Sequence, residues 1–365
     1  MVNSGKRMTS IAGLSITELE KLLSFLPRYR IGQIYKWITK NVFNFEDMTN
    51  IPIKLKNELS RDFNFFSSTI KNIEKDSQTK KIVILLKDHS TIEAVLLRDK
   101  KNRLTACLST QAGCQCGCIF CKTGYLGFKR NLESYEITEQ FFHLCALIKN
   151  ENAKQSGKLS DKILIDNIVI MGMGEPLLNL DNLRKAINVF TDPKGLNISR
   201  RRITVSTCGI YDGLIDLAKN GPFVRLAFSL TAADENLRQK LMPIAKSNPL
   251  DKIKDTLIEY QKNSGARITL EIPLLAQKDR GGINTGEKDA VKIADFCKGL
   301  DTVINLIPWN YAPDLLYEGK PLCEPSKAEI ESFKNMLEKH QLNVTMRMSK
   351  GGAVNGACGQ LGSVI

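Results

Sequence analysis

The chain has 365 residues, 42% hydrophobic and 25% charged, so it can bury a sizeable core and is not a disordered polymer. Its 52 basic residues against 39 acidic ones leave a net charge of +13, a balance that suits a polyanionic partner such as nucleic acid, although basic runs such as Arg200-Arg201-Arg202 and Lys129-Arg130 could equally be solvated faces. No stretch approaches the roughly 18 apolar residues of a membrane span. Glu18 and Glu20 interrupt the opening segment before a secretory signal could form, so a cytoplasmic protein is expected.

The first predicted elements are helical. Ser15, followed three residues later by Glu18, is a capping box ahead of an apolar-periodic run through Leu26. A second amphipathic stretch spans 31–38, and after Phe43-Asn44-Phe45 and Pro52 a third helix runs to about Leu59. This module interleaves Arg28, Tyr29, Arg30, Tyr35, Lys36, Trp37 and Lys40. Aromatic groups beside cations suit nucleic-acid contact, although Tyr35 and Trp37 could instead fill the module's own core. Two β-rich runs, 81–87 and 91–98, flank Asp88-His89-Ser90 and predict a hairpin. Beyond it, apolar runs at 104–108, 163–171, 203–206, 224–230, 268–273 and 303–308 each precede a helical stretch. That alternation predicts parallel strands in a βα barrel or an open doubly wound sheet, with chemistry at their carboxyl ends. The glycine-rich end, Gly351 to Gly359, is expected to be mobile. The chain thus divides into a helical accessory module (1–65), a hairpin extension (66–100), a βα core (101–349) and a tail (350–365).

Ten cysteines in a chain without an export signal should be mostly reduced. Cys145, Cys208, Cys297 and Cys323 sit in apolar surroundings and fit as small core residues. Cys114, Cys118 and Cys121 form C-x3-C-x2-C just after the first of the alternating strands. Three thiolates in one loop can hold a [4Fe–4S] cube and leave one iron open to a small molecule. A structural zinc would want a fourth ligand, and His89, His143 and His340 are isolated; a non-catalytic, zinc-stabilised RNA-binding protein is the alternative from a different class. Cys116 is extra to the pattern and is expected to point elsewhere.

The cysteine motif, with Phe120 before its last cysteine, resembles the radical S-adenosylmethionine superfamily. Further segments are similar to the RlmN/Cfr group of RNA adenine methyltransferases over nearly the whole chain: Gly32-Gln33-Ile34-Tyr35-Lys36-Trp37, Ser109-Thr110-Gln111-Ala112-Gly113-Cys114, Gly172-Met173-Gly174-Glu175-Pro176, Ile307-Pro308-Trp309-Asn310 and Ala357-Cys358-Gly359-Gln360-Leu361. The resemblance implies an α/β fold built as a partial (βα)6 barrel, with a [4Fe–4S] cluster on Cys114, Cys118 and Cys121. It also implies S-adenosylmethionine bound by Gly174, Glu175, Ser206, Ser229, Leu230, Thr231 and Asn310. Gly174 would let the backbone approach the ligand, and Glu175 would offer a carboxylate to its ammonium group. Ser206 and Ser229 could alternatively be strand-end turn residues. Thr231 stands where the group commonly has histidine, which points to a backbone contact there.

Adenine C2 is electron-poor, so a sulfonium methyl cannot reach it by ordinary displacement. The resemblance implies that one S-adenosylmethionine methylates Cys358 and that a second is cleaved at the cluster to remove hydrogen from the S-methyl group. The resulting methylene radical adds to the ring, and after loss of a proton and an electron the Cys107 thiolate attacks Cys358 sulfur to release the product and leave a transient disulfide. Glu93 matches a proton acceptor of the group, with a strand-face salt bridge as the alternative. Val354-Asn355-Gly356 departs from the acidic residues common before the Ala-Cys-Gly segment. The implied substrate is an adenine of 23S rRNA, and of tRNA beside the anticodon, with a one-electron donor such as flavodoxin or ferredoxin. A Cfr-like enzyme would act at C8, whereas Pro176 and Pro308-Trp309 resemble the C2 branch. Extruding the base costs a few kcal/mol, which phosphate contacts and stacking offset.

Overall fold

The computed structural model describes residues 9–40, 42–156, 164–347 and 350–362. The first eight residues, Ile163 at the head of one expected strand, and the last three residues of the expected tail lie outside these. Ser15 caps α1 (Ile16–Leu22) as the capping box requires: its hydroxyl accepts from the Glu18 N–H at 3.2 Å, and its own N–H donates to the Glu18 carboxylate at 2.8 Å. Helix α2 (Arg28–Thr39) buries Ile31, Ile34, Tyr35 and Ile38, one stripe at helical spacing, whereas α3 (Ile53–Asp62) fully buries Leu59 alone.

Polar contacts fasten this module to the core. The Tyr35 hydroxyl donates to Asp192 at 2.8 Å, so Tyr35 serves as a docking pin. Glu139, on α4 (Ser134–Ser156), is buried and accepts hydrogen bonds from the hydroxyls of Ser10, Ser67 and Ser68. One turn later, His143 lies 3.0 Å from the Ser68 hydroxyl and stacks on Phe66 at 4.2 Å between centroids.

The extension is a three-stranded meander, not a two-stranded hairpin: β1 (Thr69–Lys75), β2 (Thr79–Leu85) and β3 (Thr91–Arg98) pair antiparallel. The sequence hides β1 because it is a polar edge strand, held by its backbone ladder and bulged at Lys71 rather than by an apolar face. Strand β3 pairs antiparallel with β4 (Leu104–Cys107), setting Val95 opposite Cys107. From there every neighbour is parallel, through β5 (Ile165–Ile170), β6 (Ile203–Thr207), β7 (Arg225–Ser229), β8 (Ile268–Leu274) and β9 (Thr302–Pro308). All six expected strands are present. A seventh, β10 (Val344–Met346), pairs parallel with β9 at the edge; at three residues it is too short for a pattern.

Helices return over the sheet between these strands, including α5 (Leu180–Thr191), α6 (Tyr211–Asn220), α7 (Glu235–Leu241), α8 (Leu250–Ser264), α9 (Glu287–Cys297) and α10 (Lys327–Lys339). The chain is therefore α/β, an open, incomplete barrel whose β1 and β10 edges remain apart. Arg200, Arg201 and Arg202 are exposed at the amino end of β6, away from the carboxyl-end face. No helix among the described residues is long and apolar enough to cross a membrane.

Burial lowers the His143 pKa to about 4 from the ordinary 6.5. The unfolded chain therefore takes up the proton first, and the stability contributed by neutral His143, complete above pH 6.5, is lost as the pH falls toward 4. Moving from pH 7 to pH 5 should cost about 2 kcal/mol through this group. Urea titrations should show His143→Gln losing correspondingly less stability than the parent over that interval; identical losses would contradict the assignment.

Candidate cluster and cofactor site

The segment after β4 is folded into a closed loop. Gln111–Gly113 pairs with Phe128–Asn131, and Cys114 N–H donates to Gly127 O at 2.9 Å. Gly113 has φ +79, and a Cβ there would collide with the Gly127 carbonyl. Inside this hairpin lie Cys114, Cys118 and Cys121, with the one-turn helix Lys122–Tyr125 starting after Cys121. Trp309 braces the loop by donating from Nε1 to Phe120 O at 3.0 Å, which accounts for the tryptophan after Pro308.

These three cysteines line a cavity of about 190 Å³ at the carboxyl ends of the strands. Its wall also carries Gly174, Glu175, Ser206, Ser229, Thr231, Asn310 and Cys358. Gly174 has φ +99, and a Cβ would stand 2.5 Å from Gln111 Cβ, so the backbone itself forms the wall. The Glu175 carboxylate is buried and accepts from the Thr207 hydroxyl at 2.6 Å, Cys208 N–H at 2.8 Å and Leu177 N–H at 3.0 Å. Burial raises its pKa while these donors oppose the rise. Ser206 donates to Glu271 at 2.8 Å and lies 3.4 Å from the Ser229 hydroxyl. Thr231, at φ 62, has a buried hydroxyl with no partner.

A second cavity of about 310 Å³ adjoins the first. Met171, Ile307, Asn310 and Cys358 line both and so form the partition, while Cys107 and Arg347 belong to the second alone. The tail that carries Cys358 is not loose. Asn310 Nδ2 donates to Cys358 O at 3.0 Å, Lys122 N–H to Gly359 O at 2.8 Å, Thr123 Oγ1 to Leu361 O at 2.7 Å and Gln360 Nε2 to Tyr311 O at 2.8 Å. Gly362 N–H reaches the Glu93 carboxylate at 2.7 Å. Glu93 is buried, paired with the buried Lys81 at 3.2 Å, and lies outside both cavity walls.

With this geometry in view, known proteins supply the context. The Radical SAM superfamily model matches residues 108–279. A protein of Treponema denticola called a probable dual-specificity RNA methyltransferase RlmN is 45% identical, over 98% of this chain and 96% of its own. The dual-specificity RNA methyltransferase RlmN of Lawsonia intracellularis is 39% identical, over 97% and 96%. The crystal structure of a radical SAM methyltransferase from Sphaerobacter thermophilus superposes with a TM-score of 0.85 at 32% identity, covering 97% of this chain and 99% of that one. The chain belongs to the RlmN family of radical SAM methyltransferases.

An RlmN-family chain uses a [4Fe–4S] cluster and S-adenosylmethionine, and the residues present fit both. Burial pushes the Cys118 and Cys121 thiols up, a penalty that a bound metal's charge would offset. The orphaned Thr231 hydroxyl and the side-chain-free wall at Gly174 suit a polar ligand beside them.

Some expectations change. Leu230, just past the end of β7, is fully buried and packs in the core, while Ser229 and Thr231 on either side of it line the cavity. Cys116 does not point elsewhere. Gly117, at φ +65, bends the loop so that Cys116 lines the same cavity, its sulfur 3.6 Å from Cys208. Cys208 is a buried core cysteine, as expected, that also lines this cavity, and Cys116, Cys208 and Glu175 offer ligand atoms within 4.8 Å of one another. Glu271 and Arg347 went unnoticed in the sequence; a lone carboxylate inside the apolar run of β8 was the available signal for the first. In this structure the glycines of the tail make the turns that seat it: Gly351 and Gly359 have φ +81 and +83, and Gly356 N–H closes back on Gly351 O at 2.8 Å.

Gly174→Ala should weaken S-adenosylmethionine binding to the iron-loaded protein by about tenfold or more, the equivalent of a kcal/mol or two of strain and lost contact. Equilibrium dialysis with iron content measured alongside checks this; unchanged affinity would place the ligand elsewhere.

Proposed function

We propose that this enzyme methylates C2 of an adenine in 23S rRNA, and of one in tRNA beside the anticodon, in the cytoplasm, using Cys358 as an intermediate methyl carrier. The observation that carries the reading is that Cys358 lines both cavities. Its sulfur can meet a methyl donor on one side and a base on the other without leaving its seat.

Cys114, Cys118 and Cys121 would hold the cluster, which when bound supplies the electron that cleaves S-adenosylmethionine. Gly174, Ser206, Ser229, Thr231 and Asn310 shape the donor's cavity, and Glu175 borders it with a carboxylate already oriented by three donors. The Cys358 thiolate takes a methyl group as the sulfonium C–S bond breaks. Adenine then occupies the second cavity, where the S-methyl carbon, having lost one hydrogen, joins the ring with loss of a proton and an electron. Cys107 resolves this adduct: a Cys107–Cys358 bond forms as the sulfur–carbon bond to the base breaks, and the released carbon takes a proton. Both cysteines are free thiols here. Burial, with the Cys358 charge adding, pushes the Cys107 thiol up to about 12, so deprotonation must be assisted. Glu93 anchors the tail through Gly362.

RNA contact is supported by the accessory module. Tyr29 is exposed with the Arg30 guanidinium 5.2 Å from its ring, and Lys40 lies 5.9 Å over Trp37, which hydrogen-bonds Asn50.

Reconstituted protein incubated without oxygen with a 23S rRNA fragment, a reductant and methyl-labelled S-adenosylmethionine should yield labelled 2-methyladenosine by nucleoside mass spectrometry. Labelled 8-methyladenosine would move the chain to Cfr chemistry, and zinc without sulfide in the purified protein would sink the radical reaction. Cys107→Ala should accumulate a covalent protein–RNA species on denaturing gels, whereas Cys358→Ala should form neither adduct nor methylated RNA.

A further inference from the structure

We propose that Arg347 is the positioning residue for the methyl-carrying sulfur, its guanidinium stabilising the Cys358 thiolate for methyl transfer. This inference rests on the function proposed above and deepens it. Arg347 follows β10, and its N–H donates to Leu306 O at 2.9 Å, which pins its backbone beside β9. Its side chain lines the second cavity together with Cys107 and Cys358. Nη1 lies 3.5 Å from Glu271 Oε1 and 3.7 Å from Met171 Sδ. Glu271 holds the guanidinium from behind while its other oxygen accepts from Ser206, so one carboxylate links the donor cavity to the thiol cavity.

The surroundings single out this cation. Charged groups facing the two sulfurs are Arg347 after β10, Glu271 on β8, Glu175 in the first cavity, and Lys350 and Asp99 on the second cavity's rim. The Lys350 ammonium donates to Arg98 O at 2.7 Å, and Asp99 accepts from Arg103 Nε at 2.7 Å, so both have partners away from the sulfurs. A negative Cys358 is the largest influence strengthening the hold of Arg347 on its proton, against burial, with Glu271 and Cys107 adding to it. Arginine suits the role because it stays charged and cannot take the thiol proton. The Cys358 proton leaves to water through the second cavity. The thiolate then attacks the sulfonium methyl carbon, and the breaking C–S bond's electron pair stays on the departing thioether sulfur.

The test uses cluster-loaded, full-length protein without RNA. Two rates are read at neutral pH: iodoacetamide alkylation of Cys358, by peptide mass spectrometry without S-adenosylmethionine, and self-methylation of Cys358, by the mass gain of one methyl group. Arg347→Met should slow both by about tenfold or more, the effect of one unit in thiol acidity, and Arg347→Lys should restore most of each. Iron content and S-adenosylmethionine binding should match the parent in both variants. Parental rates in Arg347→Met would overturn the proposal, as would failure of Lys to rescue. Should Arg347→Met not fold, Glu271→Gln, which frees the guanidinium for the Cys358 sulfur, should speed alkylation; a rate equal or lower would overturn it. Failure of the parent itself to self-methylate would count against the carrier role of Cys358, whereas the alkylation rates judge Arg347 separately.

Discussion

The hydrogen bonds between residues 357–362 and their neighbours fix one sulfur, and the site is arranged around it. Lys122 and Thr123, directly after Cys121, bind the carbonyls of Gly359 and Leu361. Asn310, at the carboxyl end of β9, binds the carbonyl of Cys358 itself. The tail is therefore seated on the short turn that follows Cys114, Cys118 and Cys121, and the distance between that cysteine loop and Cys358 is set by a few backbone contacts rather than by a long linker. Two cavities meet at that sulfur, and the barrel supplies one wall of each.

Buried charge does the rest of the positioning. Lys81 and Glu93, both almost fully buried on the meander, form a pair whose second carboxylate oxygen receives Gly362 N–H. Lys81 also pairs with Glu74 at 3.4 Å, and removing this lysine would leave the buried Glu93 carboxylate without its cation, at a cost of about 3–5 kcal/mol. Arg238 on α7 is fully buried and donates to the carbonyls of Cys208 at 2.6 Å, Leu230 at 3.2 Å and Asn248 at 3.5 Å, tying together the segments that follow β6 and β7. Ser109 does similar work after β4: its hydroxyl donates to Glu93 O and accepts from Met173 N–H, so the meander, the cluster strand and the Gly-Glu-Pro turn share one side chain. The ordered segments that mark the family are, for the most part, these cross-braces.

What could be read in the sequence was whatever depends on neighbours close along the chain. The capping box at Ser15, the helical stripe of α2, the six apolar strands and the three-cysteine spacing all declare themselves within a dozen residues. The positions that escaped notice are decided by partners far away. Strand β1 has almost no apolar face and exists because β2 offers it a ladder. Cys116 reaches Cys208, 92 residues on, through a loop bent at Gly117. Arg347 becomes legible only once β10 is laid against β9, and the glycine-rich tail looks mobile until the groups that receive its carbonyls are in place. Leu230 shows the converse: a residue of a family segment between two cavity residues whose own side chain belongs to the core.

The central claim is that the carbon delivered to RNA passes through Cys358. Its most direct test is a single turnover of protein whose Cys358 already carries a trideuterated methyl group, supplied with RNA and unlabelled S-adenosylmethionine. The account predicts a product methyl group with two deuterium atoms, because one is removed before the carbon joins the ring. Three deuterium atoms would mean direct transfer of an intact methyl group, and none would mean that Cys358 is off the path; either result would contradict the account.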